Sequence, residues 1–484
     1  MPPPSREPAS DAQIAAHFAA AIAGGRLAAG HRLPTVRALA AEWGVPRAVA
    51  HAAYRRLQAS GLVVATVGRG TIVAARGARE DEPLARAARA ALRACSEAAS
   101  VTVDGVPQVA DFAQFLPDSS GFAVDEFRAS LERVLRDRGH ELLGYGNPTG
   151  DGELRRCLVE WAHASDPRAR PTDVLVTSGA QQGIDLVLRT FTDPGDAVVV
   201  PVPCYHHLFG LLASHGLEVL PVPWTHAGID REALHRAVRS PRARLLYVMP
   251  TFQNPTGRTL DAEQRQQLLA AVAPTRLPIL EDDCASELRF AGEAQPSLRS
   301  LDPRGLTVTV RSFSKELFPG VRIGWLLASA GVLPAMTALK RYCDLETTPL
   351  LQAALVDFIE RGRLECHLDA LRQALRQRHA AARAALARSF ADAARWTEPE
   401  GGFALWLDLL GVDGDALAAV CATRGVLVTS GATFDPEHRA SSAVRLSLSR
   451  VEPTQIDAGI DVIARCAGIV KHSPAAATRQ PLLL

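Results

Sequence analysis

The sequence predicts an α/β chain in two unequal parts. A small helical head ends in a hairpin; a mostly parallel sheet with helices on both faces follows, with a smaller α/β subdomain at its C-terminal end. Three observations predict this. Glycines divide the first 75 residues into three helical stretches and two short apolar runs. From about residue 108, buried-type apolar runs alternate with helical stretches, the pattern of parallel strands joined by crossover helices. Charge is also unevenly placed: residues 1–77 carry nine arginines against three acidic side chains, a net of +6 in a chain whose total is +1. At 484 residues the chain exceeds one ordinary domain.

In the head, Ile14, Phe18 and Ile22 recur at helical spacing and predict a helix over 10–23, ended by Gly24-Gly25. A second helix runs from Thr35, a side chain suited to an N-cap, to Trp43, where Gly44 breaks it. A third starts at Pro46-Arg47 and runs to Ser60, with Gly61 behind it. The runs Leu62–Val67 and Thr71–Ala74, joined by Gly68-Arg69-Gly70, form a hairpin, or wing. This head is bounded at 8–75. Residues 76–107, rich in Ala, Arg and Glu without bulky apolar periodicity, are predicted to be a partly helical linker.

The large domain is bounded at 108–472. Its predicted strands are Asp173–Thr177, Ala197–Pro201, Arg244–Met249, Pro278–Glu281 and Leu306–Arg311. After about Leu339 the pattern turns helical and then mixed, with Gly401–Leu409, Val426–Val428 and Ala443–Leu448 as further apolar runs. Residues 473–484 form a predicted disordered tail. Eight cysteines are scattered with no two at metal-ligand spacing, which predicts reduced thiols and no metal site. The N-terminus lacks the apolar core of a signal peptide, and no run is long and charge-free enough to span a bilayer, so the expected location is the cytoplasm.

A basic head on a faintly acidic body is suited to a polyanion. Two short helices meet at a glycine turn, and the second carries Arg47, His51, Arg55 and Arg56. Arg47 lies in its first turn, where recognition helices reach base edges; Arg55 and Arg56 lie nearer phosphate. Arg37 on the preceding helix and Arg69 at the wing tip are further DNA contacts. A solvated basic face is the plain alternative, but element order, charge and glycine placement together favour double-stranded DNA. The stretch His31–Ala74 resembles the winged helix-turn-helix of the GntR superfamily, with Pro46 where that family has a small polar N-cap.

Four segments of the large domain share a theme. Thr177-Ser178-Gly179-Ala180-Gln181 joins a strand to an apolar helix, a natural phosphate seat. Asn254-Pro255-Thr256-Gly257 follows the strand ending at Met249, and Glu281-Asp282-Asp283-Cys284 ends another, where open α/β sheets place ligands. Arg311-Ser312-Phe313-Ser314-Lys315 is followed by Gly320-Val321-Arg322. Each alone is an ordinary turn or strand end. Together they supply what pyridoxal 5'-phosphate (PLP) requires: a lysine, Lys315, for the Schiff base; Asp282 for the pyridine nitrogen; Asn254 for the ring 3-oxygen; and Tyr205 to stack on the ring. Ser178, Gly179, Ala180, Gln181, Ser312, Ser314 and Arg322 are left for the phosphate. The chain has only two other lysines, Lys340 and Lys471, and both read as surface side chains.

These segments resemble class I/II aminotransferases of PLP fold type I over about residues 108–470. Joined to a GntR-like head, the whole chain resembles the MocR-type regulators. The resemblance implies a head-to-tail homodimer, Tyr145 near the cofactor phosphate of its own or of the partner subunit, and Arg445 as the clamp for a ligand carboxylate. Cys284 stands where the resemblance implies a tyrosine that touches the cofactor, which weakens the expectation of efficient transamination. The implied function is DNA binding controlled by an amino compound or vitamin B6 vitamer at the PLP. A working aminotransferase with an appended head is the alternative.

Overall fold

The computed structural model describes residues 10–23, 27, 30–59, 62–66, 70–73 and 106–471. Arg69, most of the expected linker and the expected tail lie outside them. The chain divides into two compact units, 1–94 and 95–484.

In the head, α1 (Asp11–Ala23), α2 (Val36–Trp43) and α3 (Arg47–Ala59) precede the antiparallel hairpin of β1 (Val63–Thr66) and β2 (Gly70–Val73). The Thr35 hydroxyl accepts the Ala38 N–H at 3.2 Å and caps α2. Gly44 ends it in the left-handed region at φ 64°. Ile14, Phe18 and Ile22 of α1 pack with Leu39, Ala50, Leu57, Val63 and Val73 in one small core. Tyr54, in the same core, donates its hydroxyl to the Pro34 carbonyl at 2.6 Å. Burial pushes this phenol up to about 12, so it stays a donor.

The second unit is built on an eight-stranded sheet. Its strands are β4 (Val174–Thr177), β5 (Ala197–Val202), β6 (Glu218–Thr225), β7 (Gly228–Ile229), β8 (Ala243–Val248), β9 (Ile279–Asp282), β10 (Thr307–Ser312) and β11 (Gly324–Leu327). They lie in the order β4-β11-β10-β9-β8-β5-β6-β7. β11 runs antiparallel to both neighbours and β7 antiparallel to β6; the other pairings are parallel. All five expected strands are present, shifted by a residue or two at some ends. β6 and β11 lacked a distinctive pattern: β6 is interrupted by two prolines and carries a tryptophan, and β11 is a four-residue run directly after a turn.

Alternation places successive side chains in different cores. On β8, Leu245 and Tyr247 join the apolar layer that contains the helix at Ala180–Phe191, while Leu246 and Val248 join the opposite layer with Ala262–Val272. Burial on both faces explains why these strands read as continuous apolar runs.

The C-terminal subdomain has a four-stranded sheet in the order β12-β13-β16-β15 (Arg395–Trp396, Ala404–Asp408, Ala443–Ser447, Thr429–Ser430). Leu386, Leu405, Leu407, Val444, Leu446, Ile456, Ile460 and Ile463 form its core with the helices at Arg363–Phe390 and Pro453–Lys471. The short β3 (Ala110–Asp111) pairs in parallel with β14 (Val426–Leu427), so the segment at 110–116 is held against this subdomain.

The expectation for Lys340 is corrected. Its side chain is fully buried and ion-paired to Asp344 at 2.9 Å, one turn along the helix at Leu333–Asp344. The charged neighbours that suggested a surface position include the partner that permits burial.

Candidate cofactor site and DNA-binding face

β8, β9 and β10 pair in parallel, and β4, antiparallel to β11 as β10 is, points the same way, so their C-terminal ends share one end of the sheet with Ser178, Asn254, Asp282 and Lys315. A cavity of about 830 Å³ is lined there by Lys315, Asn254, Tyr205, His206, Phe115 and Arg445, among others. Arg445 comes from β16 of the other sheet. Its neighbours Val444 and Leu446 face the subdomain core, so alternation turns the guanidinium the other way, toward the cavity.

Lys315 donates to the Phe115 carbonyl, and its ammonium lies 5.1 Å from the Phe115 ring centroid. Burial, with the Arg445 cation nearby, pushes the amine down to about 8 against the pull of Cys284 and Asp282. A larger share of neutral amine at neutral pH is what attack on an aldehyde needs. Arg445 is 2% exposed and donates to the Asn254 Oδ1 (3.2 Å), the Ala113 carbonyl (2.6 Å) and the Thr429 hydroxyl (3.1 Å). The Phe115 and Phe434 rings lie 4.7 and 5.0 Å from its guanidinium carbon. Its Nε has no partner, and among the described residues no carboxylate lies within ion-pairing distance. Burial pushes this guanidinium down to about 9. A buried cation held only by neutral groups favours an anionic ligand.

Asp282 is 3% exposed. Its Oδ2 accepts the Tyr247 hydroxyl at 2.6 Å, while its Oδ1 is buried without a partner. Burial pushes its carboxyl up. A protonated ring nitrogen would satisfy the orphan oxygen and favour the carboxylate. Asn254 follows β8 and is 4% exposed.

The expected phosphate seat is assembled where β4, β11 and β10 lie side by side. Gly179 caps the helix at Ala180–Phe191 at φ 87°. A Cβ on Gly179 would stand 2.6 Å from an Arg322 nitrogen, and one on Gly324 2.8 Å from the Ala180 nitrogen. This close approach leaves backbone N–H groups at the helix start, with Arg322 beside them, its own φ at 51°. Arg322 donates to the Ser178 carbonyl at 3.2 Å, and the Ser312 hydroxyl to that of Ser314 at 2.9 Å. The Ser178 hydroxyl is already engaged, donating to Asp344 at 2.9 Å, and Gln182 donates to the same carboxylate at 2.8 Å. Gln181 is exposed in the first turn. The orphan oxygen, the glycine cradle and the depressed amine together fit PLP.

Of the expected residues, Tyr205, Asn254, Lys315 and Arg445 line the cavity; Asp282, the residues of the phosphate seat, Cys284 and Tyr145 are not part of its lining. The Cys284 thiol faces the Val310 carbonyl at 4.0 Å. Tyr145 is 85% exposed. Sequence reasoning missed Phe115, His206, Tyr247, Thr429 and Phe434. A tyrosine inside an otherwise aliphatic buried strand was a legible sign for Tyr247; the others come together only through the fold.

In the head, Arg47, His51 and Arg55 are exposed and recur every four residues on α3, so they share one face. Arg56 is exposed and ion-paired to Asp11. Arg37 is exposed on α2.

This is the arrangement of a PLP-binding aminotransferase-type domain carried behind a winged helix-turn-helix. Comparison with known proteins agrees: residues 116–463 match the family model "Aminotransferase class I and II", and 11–73 match "Bacterial regulatory proteins, gntR family". The chain belongs to the aminotransferase class I and II family, joined to a GntR-family head. It is 33% identical to the HTH-type transcriptional regulator TauR of Rhodobacter capsulatus, over 92% of this chain and 93% of that one. It is 30% identical to the probable rhizopine catabolism regulatory protein MocR of Rhizobium meliloti, over 81% and 80%. Among solved structures, the α-aminoadipate aminotransferase LysN of Thermus thermophilus, complexed with N-(5'-phosphopyridoxyl)-L-leucine, covers 76% of this chain and 93% of its own at 30% identity and a TM-score of 0.69. No helix among the described residues is long and apolar enough to cross a membrane.

Proposed function

We propose that this protein is a PLP-dependent transcriptional regulator. An amino compound or B6 vitamer meeting the cofactor at Lys315 controls its grip on operator DNA. The observation that carries this reading is one chain holding both an exposed basic recognition helix and a cavity with a depressed lysine beside a buried, anion-seeking arginine. PLP, when bound, supplies an aldehyde for covalent attachment to Lys315 and for exchange with an incoming amine. The chain's own residues do the rest. Asp282 would hold the ring nitrogen protonated, Asn254 would bind the ring oxygen, and Tyr205 would cover the ring. Gly179, Ala180, Ser312, Ser314 and Arg322 would seat the phosphate, and Arg445 would bind a ligand carboxylate. Tyr145, exposed in its own chain, serves the site of a second copy in a head-to-tail homodimer. The working location is the cytoplasm.

A ligand whose amine engages the cofactor held on the large sheet and whose carboxylate meets Arg445 on the C-terminal sheet would favour one arrangement of these two parts. Differential affinity for that arrangement shifts the heads between DNA-competent and incompetent placements. The test is DNA selected by the protein in vitro, bound by PLP-loaded protein and titrated with α-amino acids, ω-amino acids and pyridoxal vitamers. At least one should move DNA affinity tenfold or more; occupancy that no amine or vitamer moves rejects the reading. Steady turnover of an amino acid with a 2-oxo acid, without any effect on DNA, would support the enzyme reading instead.

A further inference from the structure

We propose that Tyr247 is a positioning residue for the cofactor: its hydroxyl holds one oxygen of Asp282, so that the other faces the ring nitrogen. This rests on the PLP reading above and concerns a residue that reading does not use.

The register makes the contact. β8 and β9 are parallel neighbours with Tyr247 opposite Leu280. Asp282 stands two residues beyond Leu280 and so shares its face, which places Tyr247 diagonally across from the carboxylate. Tyr247 is 0% exposed and its ring packs with Val200, Leu245, Met249 and Leu280. The hydroxyl donates to Asp282 Oδ2 at 2.6 Å, the length of a charge-assisted bond. Asp282 Oδ1 has no partner. The carboxylate is therefore pinned in one rotamer with one oxygen spoken for and one open.

Burial pushes the Tyr247 hydroxyl well above the usual tyrosine range, so it keeps its proton and only donates. Asp282 is pushed up by burial as well; the Cys284 thiol and this hydroxyl both oppose that push. The other titratable groups close to the pair are Cys204, Tyr205, Asp283, Cys284 and Lys315. Tyr247 makes the short bond to Asp282, whereas the Cys284 thiol lies 4.0 Å from the Val310 carbonyl.

Tyr247→Phe removes the donor and keeps the ring. A carboxylate without it is more basic and draws the ring-nitrogen proton toward itself. The ring then withdraws fewer electrons. PLP affinity should fall about tenfold, and the pH midpoint of the visible band of the lysine-bound cofactor should move upward. Replacement of Tyr247 by 3-fluorotyrosine, a stronger donor, should move that midpoint downward. The fluorinated protein also decides the matter should Tyr247→Phe fail to fold. A purely structural tyrosine would change thermal stability and leave the midpoint alone. Wild-type protein that takes up no PLP overturns the cofactor reading and this inference with it. Wild-type uptake with an unchanged midpoint in both substituted proteins overturns this inference alone.

Discussion

The head and the cofactor domain both carry basic side chains at their candidate sites, placed in opposite surroundings. Arg37, Arg47 and Arg55 are exposed on a small helical core. Lys315 and Arg445 line a cavity, and Arg445 is 2% exposed. An exposed arginine keeps its hydration, acts over a Debye length and is weakened by salt. A buried one has lost that hydration and discriminates sharply among ligands, because a wrong ligand leaves it unpaired. On the proposed function, polyanion binding and small-molecule sensing would use the same residue types, separated by burial.

This contrast can be broken at several points. The largest effect is expected at Lys315: Lys315→Ala should abolish the visible band of the bound cofactor, and a band that persists moves the attachment elsewhere. In the unsubstituted protein the amine is depressed from its ordinary value to about 8, so protons leave it over a lower range than a free lysine. The rate of PLP uptake should therefore rise with pH around that midpoint and level off above it; stopped-flow absorbance checks this. Next is Arg445→Gln, which removes the charged donor and leaves a polar side chain. Carboxylate-bearing ligands should bind about thirtyfold more weakly, about 2 kcal/mol, with amines lacking a carboxylate little affected. Equal loss for both would place Arg445 in the architecture rather than the clamp.

Arg47→Ala should weaken specific DNA binding by about 1–3 kcal/mol and non-specific binding by less. An equal loss in both makes Arg47 a phosphate contact. Measuring Arg55→Ala across a salt series sharpens the point, since a phosphate contact lowers the salt slope by about one. The smallest effect is Thr35→Ala, which removes the hydroxyl acceptor of the Ala38 N–H. The isolated head should lose about 1 kcal/mol in denaturant unfolding.

Much of this was legible in the residues. Ile14, Phe18 and Ile22 gave the first helix because 3.6-residue spacing must bury one stripe. Gly44 and Thr35 bounded the second because only certain side chains suit those backbone positions. Lys315, Asp282 and Asn254 were legible because they end or follow strands, and the edge of a parallel sheet is where chemistry gathers. Lys340 was misread because charged neighbours signal both a solvated face and a buried pair. Only packing separates the two, and here it put Lys340 against Asp344 inside the protein.

The sequence by itself determined which elements form, where they stop and which residue types carry the chemistry, because these depend on local propensity and periodicity. Tertiary structure decided which groups meet. Phe115 reaches Lys315 across 200 positions and Arg445 reaches Asn254 across 191. Strand register set Tyr247 against Asp282, and the same packing removed enough water to shift Lys315 and Arg445. Desolvation belongs to the assembled fold, since a cation gives up its hydration only when residues distant in the chain close around it.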